Sequence, residues 1–253
     1  MIEVNGHEPT REELQEAALD TYGHFTALQV RDGRTRGLDL HLARLDAANL
    51  ALFGAPLPGE RVRELIRHAL AGAAVADASV RVIARNGLVF VTVRPPFTMP
   101  ADATRRLKST AYLREVAHIK RPGDFAHSYH IDRAEDAGYD DALLVSADGV
   151  VAEAGIANIA FFDAAEPSVV WPDAPVLAGI TMQLVAPRLA EYGMPSRTTR
   201  VTLDEIGRFA GACVTNSRGI AAVTRIDEVE LPDAPEFVKA LRSAYDSVPW
   251  DEI

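Results

Sequence analysis

The stretch AGYDDALLVSADGVVAEAGIANIAFF, Ala137 to Phe162, decides the fold class. Two apolar runs flank Asp148-Gly149, a pair that favours a tight turn, so the stretch reads as strand, turn and further strands. Just before it, AHSYHIDRAEDAG reads as a helix that stops at Gly138. Inside the second apolar run stands Glu153, and a purely structural account of an acidic side chain there has it face solvent from an alternating strand position.

Working outward, the same alternation of strands and single helices recurs. YGHFTALQVRDG (Tyr22 to Gly33) reads as a strand ending at an Asp-Gly turn. DLHLARLDAANLALFG places Leu42, Leu45, Asn49 and Leu52 at helical spacing, with Gly54 as the stop. PGERVRELIRHALAG (Pro58 to Gly72) reads as a second amphipathic helix. SVRVIARNGLVFVTVRPP sets Asn86-Gly87 between two β-rich runs, a strong hairpin signal. Pro95 and Pro96 end the hairpin, and the polar stretch through Leu107 reads as a connection between domains. Beyond it, STAYLREV is strand-like, TMQLVAPRLAEYG is a helix starting after Gly179, and GACVTNSRGIAAV runs from a buried strand through a polar turn and back. Hairpins mixed with single helices predict an α+β protein with mostly antiparallel sheets. The expected division is a small domain over 1–107 and a larger one over 108–253.

Composition narrows the function. At 253 residues and 48% hydrophobic, the chain can bury a large core. A net charge of -10 argues against nucleic acid or an anionic membrane as partner. No run of 18 apolar residues occurs, and the polar, acidic start MIEVNGHEPTREELQEA carries no visible secretory signal, so the expected location is cytoplasmic. One cysteine, Cys213, excludes an internal disulfide framework and a cysteine-based metal cluster. Its neighbours Ala212 and Val214 suggest a small buried residue. Neither GxGxxG nor a P-loop is present.

Of the 26 basic residues, 23 are arginine, and the lysines are Lys108, Lys120 and Lys239 alone. A lysine amine can lose its proton and attack a carbonyl, whereas a guanidinium stays charged. Lys120, in AHIKRPGDF, therefore raises the question of what an amine does there that arginine cannot.

Taken in order, HLARL (His41 to Leu45), Lys120, the opening stretch with Glu153, LAGIT (Leu177 to Thr181) and TNSRGIAAV resemble the class IV pyridoxal-phosphate aminotransferases. That group includes branched-chain and D-amino-acid aminotransferases and aminodeoxychorismate lyases. The resemblance spans Tyr22 to Asp227, with 33 residues from Lys120 to Glu153. It implies a fold-type IV enzyme with a small N-terminal α/β domain, a larger domain with a barrel-like sheet and flanking helices, pyridoxal 5'-phosphate between them, and a homodimer. Its substrates would be small amino and oxo acids.

The resemblance also distributes roles. Lys120 takes the position of the Schiff-base lysine and proton shuttle, and Glu153 that of the carboxylate beside the pyridine nitrogen. Arg44 matches the phosphate-binding arginine, joined by Ile180 and Thr181 and by Asn216 and Ser217. Arg81 stands where some members bind a substrate carboxylate, and His41 is a structural landmark. The chain departs from the pattern at several points. Thr26 replaces a common glutamate in Gly23-His24-Phe25-Thr26, and Phe125 stands where many members carry a cofactor-binding tyrosine, a role that Tyr112 or Tyr129 would have to fill. Ala154, Gly155, Ile156 and Ala157 replace hydroxyl-rich residues, and Met182 replaces an arginine. The activity implied is amino-group transfer; a lyase of the aminodeoxychorismate type and a catalytically degenerate homologue are the alternatives.

Overall fold

The structure, a computed structural model, describes residues 1–253. Its contacts divide the chain into two compact units. The first comprises Met1–Thr98, Ile119–Asp124 and Pro249–Ile253; the second comprises Met99–His118 and Phe125–Val248.

In the first unit, Ile2–Val4, Leu88–Arg94, Ala78–Arg85 and His24–Val30 form a four-stranded antiparallel sheet in that order. Arg85 pairs with Leu88, so Asn86-Gly87 is the two-residue loop of the expected hairpin, with Gly87 at φ 84°. The helix Leu38–Phe53 ends at Gly54, which is left-handed at φ 67° and donates to the Leu50 carbonyl. Together with the helix Gly59–Ala73 it covers one face of the sheet, burying Leu42, Leu45, Leu65 and Ile66 against Val80, Val82 and Val91. Arg11–Leu19 is a helix that hydrophobic periodicity does not announce, since none of its residues is buried. Its start is set by a Thr10–Glu13 capping box.

The second unit holds a nine-stranded mixed sheet. Its order is Ser196–Thr199, Ser168–Pro172, Asn158–Asp163, Gly211–Asn216, Gly219–Ile226, Thr104–Ala111, Asp141–Val145 and Val151–Ala154, with Val229–Glu230 paired off this path. The last strand in that order also lies against Asn158–Asp163, so the sheet curls into a half-barrel. The opening stretch resolves as expected: Asp141–Val145, a turn with Gly149 at φ 78°, Val151–Ala154 and Asn158–Asp163. Both faces of these strands are buried: Phe161, Phe209 and Ile206 fill one side, while on the other Val185, Phe237 and Leu241 pack against Ala160, and Ala134 packs against Ala142 and Leu144.

Three sequence expectations are corrected here. The segment through Leu107 is no connection: Thr104–Ala111 is an inner strand, parallel to both neighbours. It reads as a linker because only Leu107 along it is buried, its other side chains being mostly polar and half-buried or exposed. STAYLREV stops being strand after Ala111. TMQLVAPRLAEYG is an α-helix only over Ile180–Val185 and tightens to a 3-10 helix over Ala186–Tyr192, where Pro187 withholds a backbone donor. Cys213 is fully buried, and burial pushes its thiol well above the ordinary range.

Candidate active site

The predicted site residues fall into two groups, one in each unit. In the first unit, Lys120 is half-buried and its backbone carbonyl accepts the Phe25 N–H at 2.9 Å. That bond fastens the Ile119–Asp124 segment to the edge strand His24–Val30. The Lys120 Nζ lies 4.8 Å from the centroid of the Phe25 ring, and the Arg81 guanidinium lies 4.8 Å from the same centroid. The quadrupole of one ring thus holds two cations in the same neighbourhood. Arg81 is the exposed member of an otherwise inward-alternating strand.

Behind this ring sits a connected polar group. Arg44 Nη2 donates to the Thr26 hydroxyl oxygen, and that hydroxyl is 2.7 Å from His41 Nδ1. Because a guanidinium can only donate, the threonine proton is left to point at His41 Nδ1, which assigns a neutral imidazole protonated on Nε2. Electrostatics agrees: burial first, then the Arg44 and Lys120 charges, push His41 down to about 3. Burial pushes Arg44 down to about 10, and its Nε is buried without a hydrogen-bond partner. A half-buried guanidinium met by a neutral hydroxyl, with its buried Nε–H unpartnered, suits an anion such as a phosphate. Thr26, standing where the resemblance expects glutamate, is what leaves that charge uncompensated.

In the second unit, Glu153 is 5% exposed, which rules out a solvent-facing glutamate. Its Oε1 accepts from Arg114 Nε at 2.8 Å, with Arg114 Nη2 at 2.7 Å from the same oxygen. Its Oε2 accepts the Leu177 N–H at 3.2 Å. LAGIT is therefore anchored at its start by Glu153, and Asn158 Nδ2 donates to the Leu177 carbonyl at 2.8 Å. Gly179 must lack a side chain, since a Cβ there would lie 1.9 Å from Asn158 Oδ1. At the other end the Thr181 hydroxyl donates to the Asn216 carbonyl at 2.8 Å. Thr181 is consequently not an N-cap; Gly179 holds that place. With its hydroxyl proton committed, Thr181 has its backbone N–H to offer an anion, as Ile180 does. Asn216 Nδ2 donates to the Ile156 carbonyl at 3.3 Å, and its Oδ1 accepts the Arg218 N–H at 2.8 Å, closing the turn that contains half-buried Ser217.

Several neighbours escaped the sequence reading. Arg114 lies 39 residues from Glu153 in the chain and carries no local signal. The Thr215 hydroxyl, on the same strand as Asn216, is buried without a partner. Asp141 is buried against Gly155, where a Cβ would come within 2.1 Å of Asp141 Oδ1, and burial pushes its carboxyl up to about 6. Phe125 is 82% exposed and stacks on Tyr129, while Tyr112 stacks on His130. Of the apolar residues after Glu153, Ile156 alone is exposed, at 50%.

The sequence profile of the class IV aminotransferases matches residues 23–226. A probable branched-chain-amino-acid aminotransferase of Rickettsia felis is 33% identical over 99 residues, 39% of this chain and 33% of that protein, so the match spans about a third of that curated relative. A hypothetical aminotransferase from Mycobacterium tuberculosis, solved with PLP bound, superposes with a TM-score of 0.84 at 20% identity, covering 98% of each chain. The branched-chain amino acid aminotransferase of Escherichia coli gives 0.83 at 15% identity over 97% of this chain and 93% of that one. At this identity the structural likenesses establish the fold.

Proposed function

Because the chain belongs to the class IV aminotransferase family, we propose that it moves an amino group between an amino acid or amine and a 2-oxo acid, using pyridoxal 5'-phosphate. The observation that carries this reading is the donor set: a lysine whose backbone is anchored to a strand, a buried glutamate, and a half-buried arginine whose buried Nε–H has no hydrogen-bond partner. These are the three chemistries the cofactor needs at its aldehyde, its ring nitrogen and its phosphate, so the residues fit it. When bound, the cofactor supplies an aldehyde that takes up the amino group and a ring that stabilises the charge left as a Cα proton departs.

The protein's own groups do the rest. Lys120 Nζ would be the nucleophile toward the aldehyde and the group that moves the proton at the substrate's Cα. Glu153, buried in its strand, would accept the ring N–H. Arg44, the N–H groups of Ile180 and Thr181, and Asn216 or Ser217 would hold the phosphate. Arg81 binds the substrate carboxylate as a planar fork. His41, kept neutral, takes no proton from Lys120 near neutral pH.

A homodimer and a cytoplasmic location complete the proposal. The first is supported by the resemblance to the family, and the second by a single cysteine and by the lack of any helix long and apolar enough to cross a membrane. Incubating the purified protein and cofactor with an amino donor tests the reaction: conversion to pyridoxamine phosphate with release of the 2-oxo acid is expected. Pyruvate release from aminodeoxychorismate without amino transfer would favour the lyase.

A further inference from the structure

Arg114 is a buried cation that the roles above leave unused. Its side chain is 8% exposed and that of Glu153 is 7%. The guanidinium donates from Nε to Glu153 Oε1, with Nη2 2.7 Å from the same oxygen, and Nη2 donates to the Ala117 carbonyl at 2.8 Å. Two consequences follow from this geometry. Oε1 takes a charge-assisted hydrogen bond from Nε and has the charged Nη2 2.7 Å away, whereas Oε2 is met by the longer, weaker bond from the Leu177 backbone, so the two oxygens are unequally engaged. The carboxylate is also neutralised before any ligand arrives, so a further cation beside it enters a group whose charge is already balanced.

We propose that Arg114 is a positioning and tuning residue for Glu153: it presents Oε2 to the cofactor's ring nitrogen and weakens the carboxylate's hold on the nitrogen's proton. This rests on the reading of Glu153 as the nitrogen's partner. A buried carboxylate without a guanidinium on it would hold a protonated ring strongly, since that proton would be its main compensating charge. With Arg114 in contact, the guanidinium, the carboxylate and the protonated ring sum to one positive charge in a site shielded from water, and like charges disfavour the added proton. The enzyme therefore releases the ring proton at lower pH than the same site without Arg114.

The test is the pH dependence of the 15N chemical shift of cofactor labelled at the ring nitrogen, bound to the wild type, Arg114→Gln and Arg114→Lys. Arg114→Gln removes the charge and is expected to retain the proton to higher pH, with a fall of roughly tenfold or more in its dissociation constant. Arg114→Lys keeps the charge and is expected to titrate within about threefold of the wild type. A merely structural role predicts the opposite sign for Arg114→Gln, because a loosened carboxylate would hold the ring proton less well. Proton release in Arg114→Gln at the wild-type pH or below would overturn the inference. So would a folded Arg114→Lys protein that loses the cofactor. If the wild type itself binds no cofactor through Lys120, it is the functional reading that fails, and the visible absorbance of the wild type reports that separately.

Discussion

The two groups of site residues handle buried charge in opposite ways. In the first unit, Arg44 is met by a hydroxyl and keeps a spare N–H, and burial alone pushes it down to about 10. In the second, Glu153 is met at once by a guanidinium and a backbone N–H. An uncompensated buried cation is a standing cost that an anionic ligand relieves. A compensated carboxylate is stable in advance and exchanges only part of its partnership when a ligand arrives. On the proposed roles, the difference teaches which end of the ligand would dominate affinity: the Arg44 end would be completed by binding, the Glu153 end only adjusted.

Glu153→Gln should break the comparison most severely. It leaves Arg114 buried without its carboxylate, costing about 3–5 kcal/mol of stability, and weakens ring protonation, lowering transfer by roughly a hundredfold or more. Chemical denaturation and single-turnover kinetics read the two effects; wild-type stability would show that the pair does not matter. Arg44→Met should do the reverse. Cofactor affinity falls roughly ten- to a hundredfold, as expected for lost hydrogen bonds between charged groups, while the protein without cofactor is as stable as the wild type or more so. A large loss of that stability would contradict the uncompensated state assigned to Arg44.

Smaller effects separate the units by pH. His41 binds its proton less tightly folded, at about 3, than its ordinary 6.5. The unfolded chain therefore carries more protons across that window, and stability from this group rises with pH from about 3 to 6.5. Asp141 is raised from 3.8 to about 6, so its contribution is full below about 3.8 and is lost as pH climbs through 6. His41→Gln should flatten the rise and Asp141→Asn the fall, measured as unfolding free energy against pH. Slopes unchanged by either substitution would sink the assignment.

Much of this was legible before the fold was seen, and the reason is local chemistry. Asn86-Gly87, Gly54 and Asp148-Gly149 each require a left-handed residue in a short span, so the hairpin, the helix stop and the turn announce themselves. Lys120 and Glu153 stand out because each breaks its surroundings, one in an arginine-rich chain and one in an apolar run. What was illegible depends on distant partners. Thr104–Ala111 is a strand only because Asp141–Val145 and Gly219–Ile226 flank it. Arg114 gains meaning only from Glu153, 39 residues on. Thr26 carried a usable signal, as a hydroxyl where the resemblance expects a carboxylate, but its bonds to His41 and Arg44 needed the packed helix.

The central claim is that Lys120 is the amine that joins the cofactor's aldehyde, and visible absorbance tests it most directly. Pyridoxal phosphate is added to the wild type and to Lys120→Ala, and excess cofactor is removed by gel filtration. The account predicts a visible band in the wild type that survives filtration, becomes resistant to denaturation after borohydride reduction, and is absent from Lys120→Ala. A wild type without the band, or a reduced cofactor bound to the Lys120→Ala chain to the same extent, would contradict it.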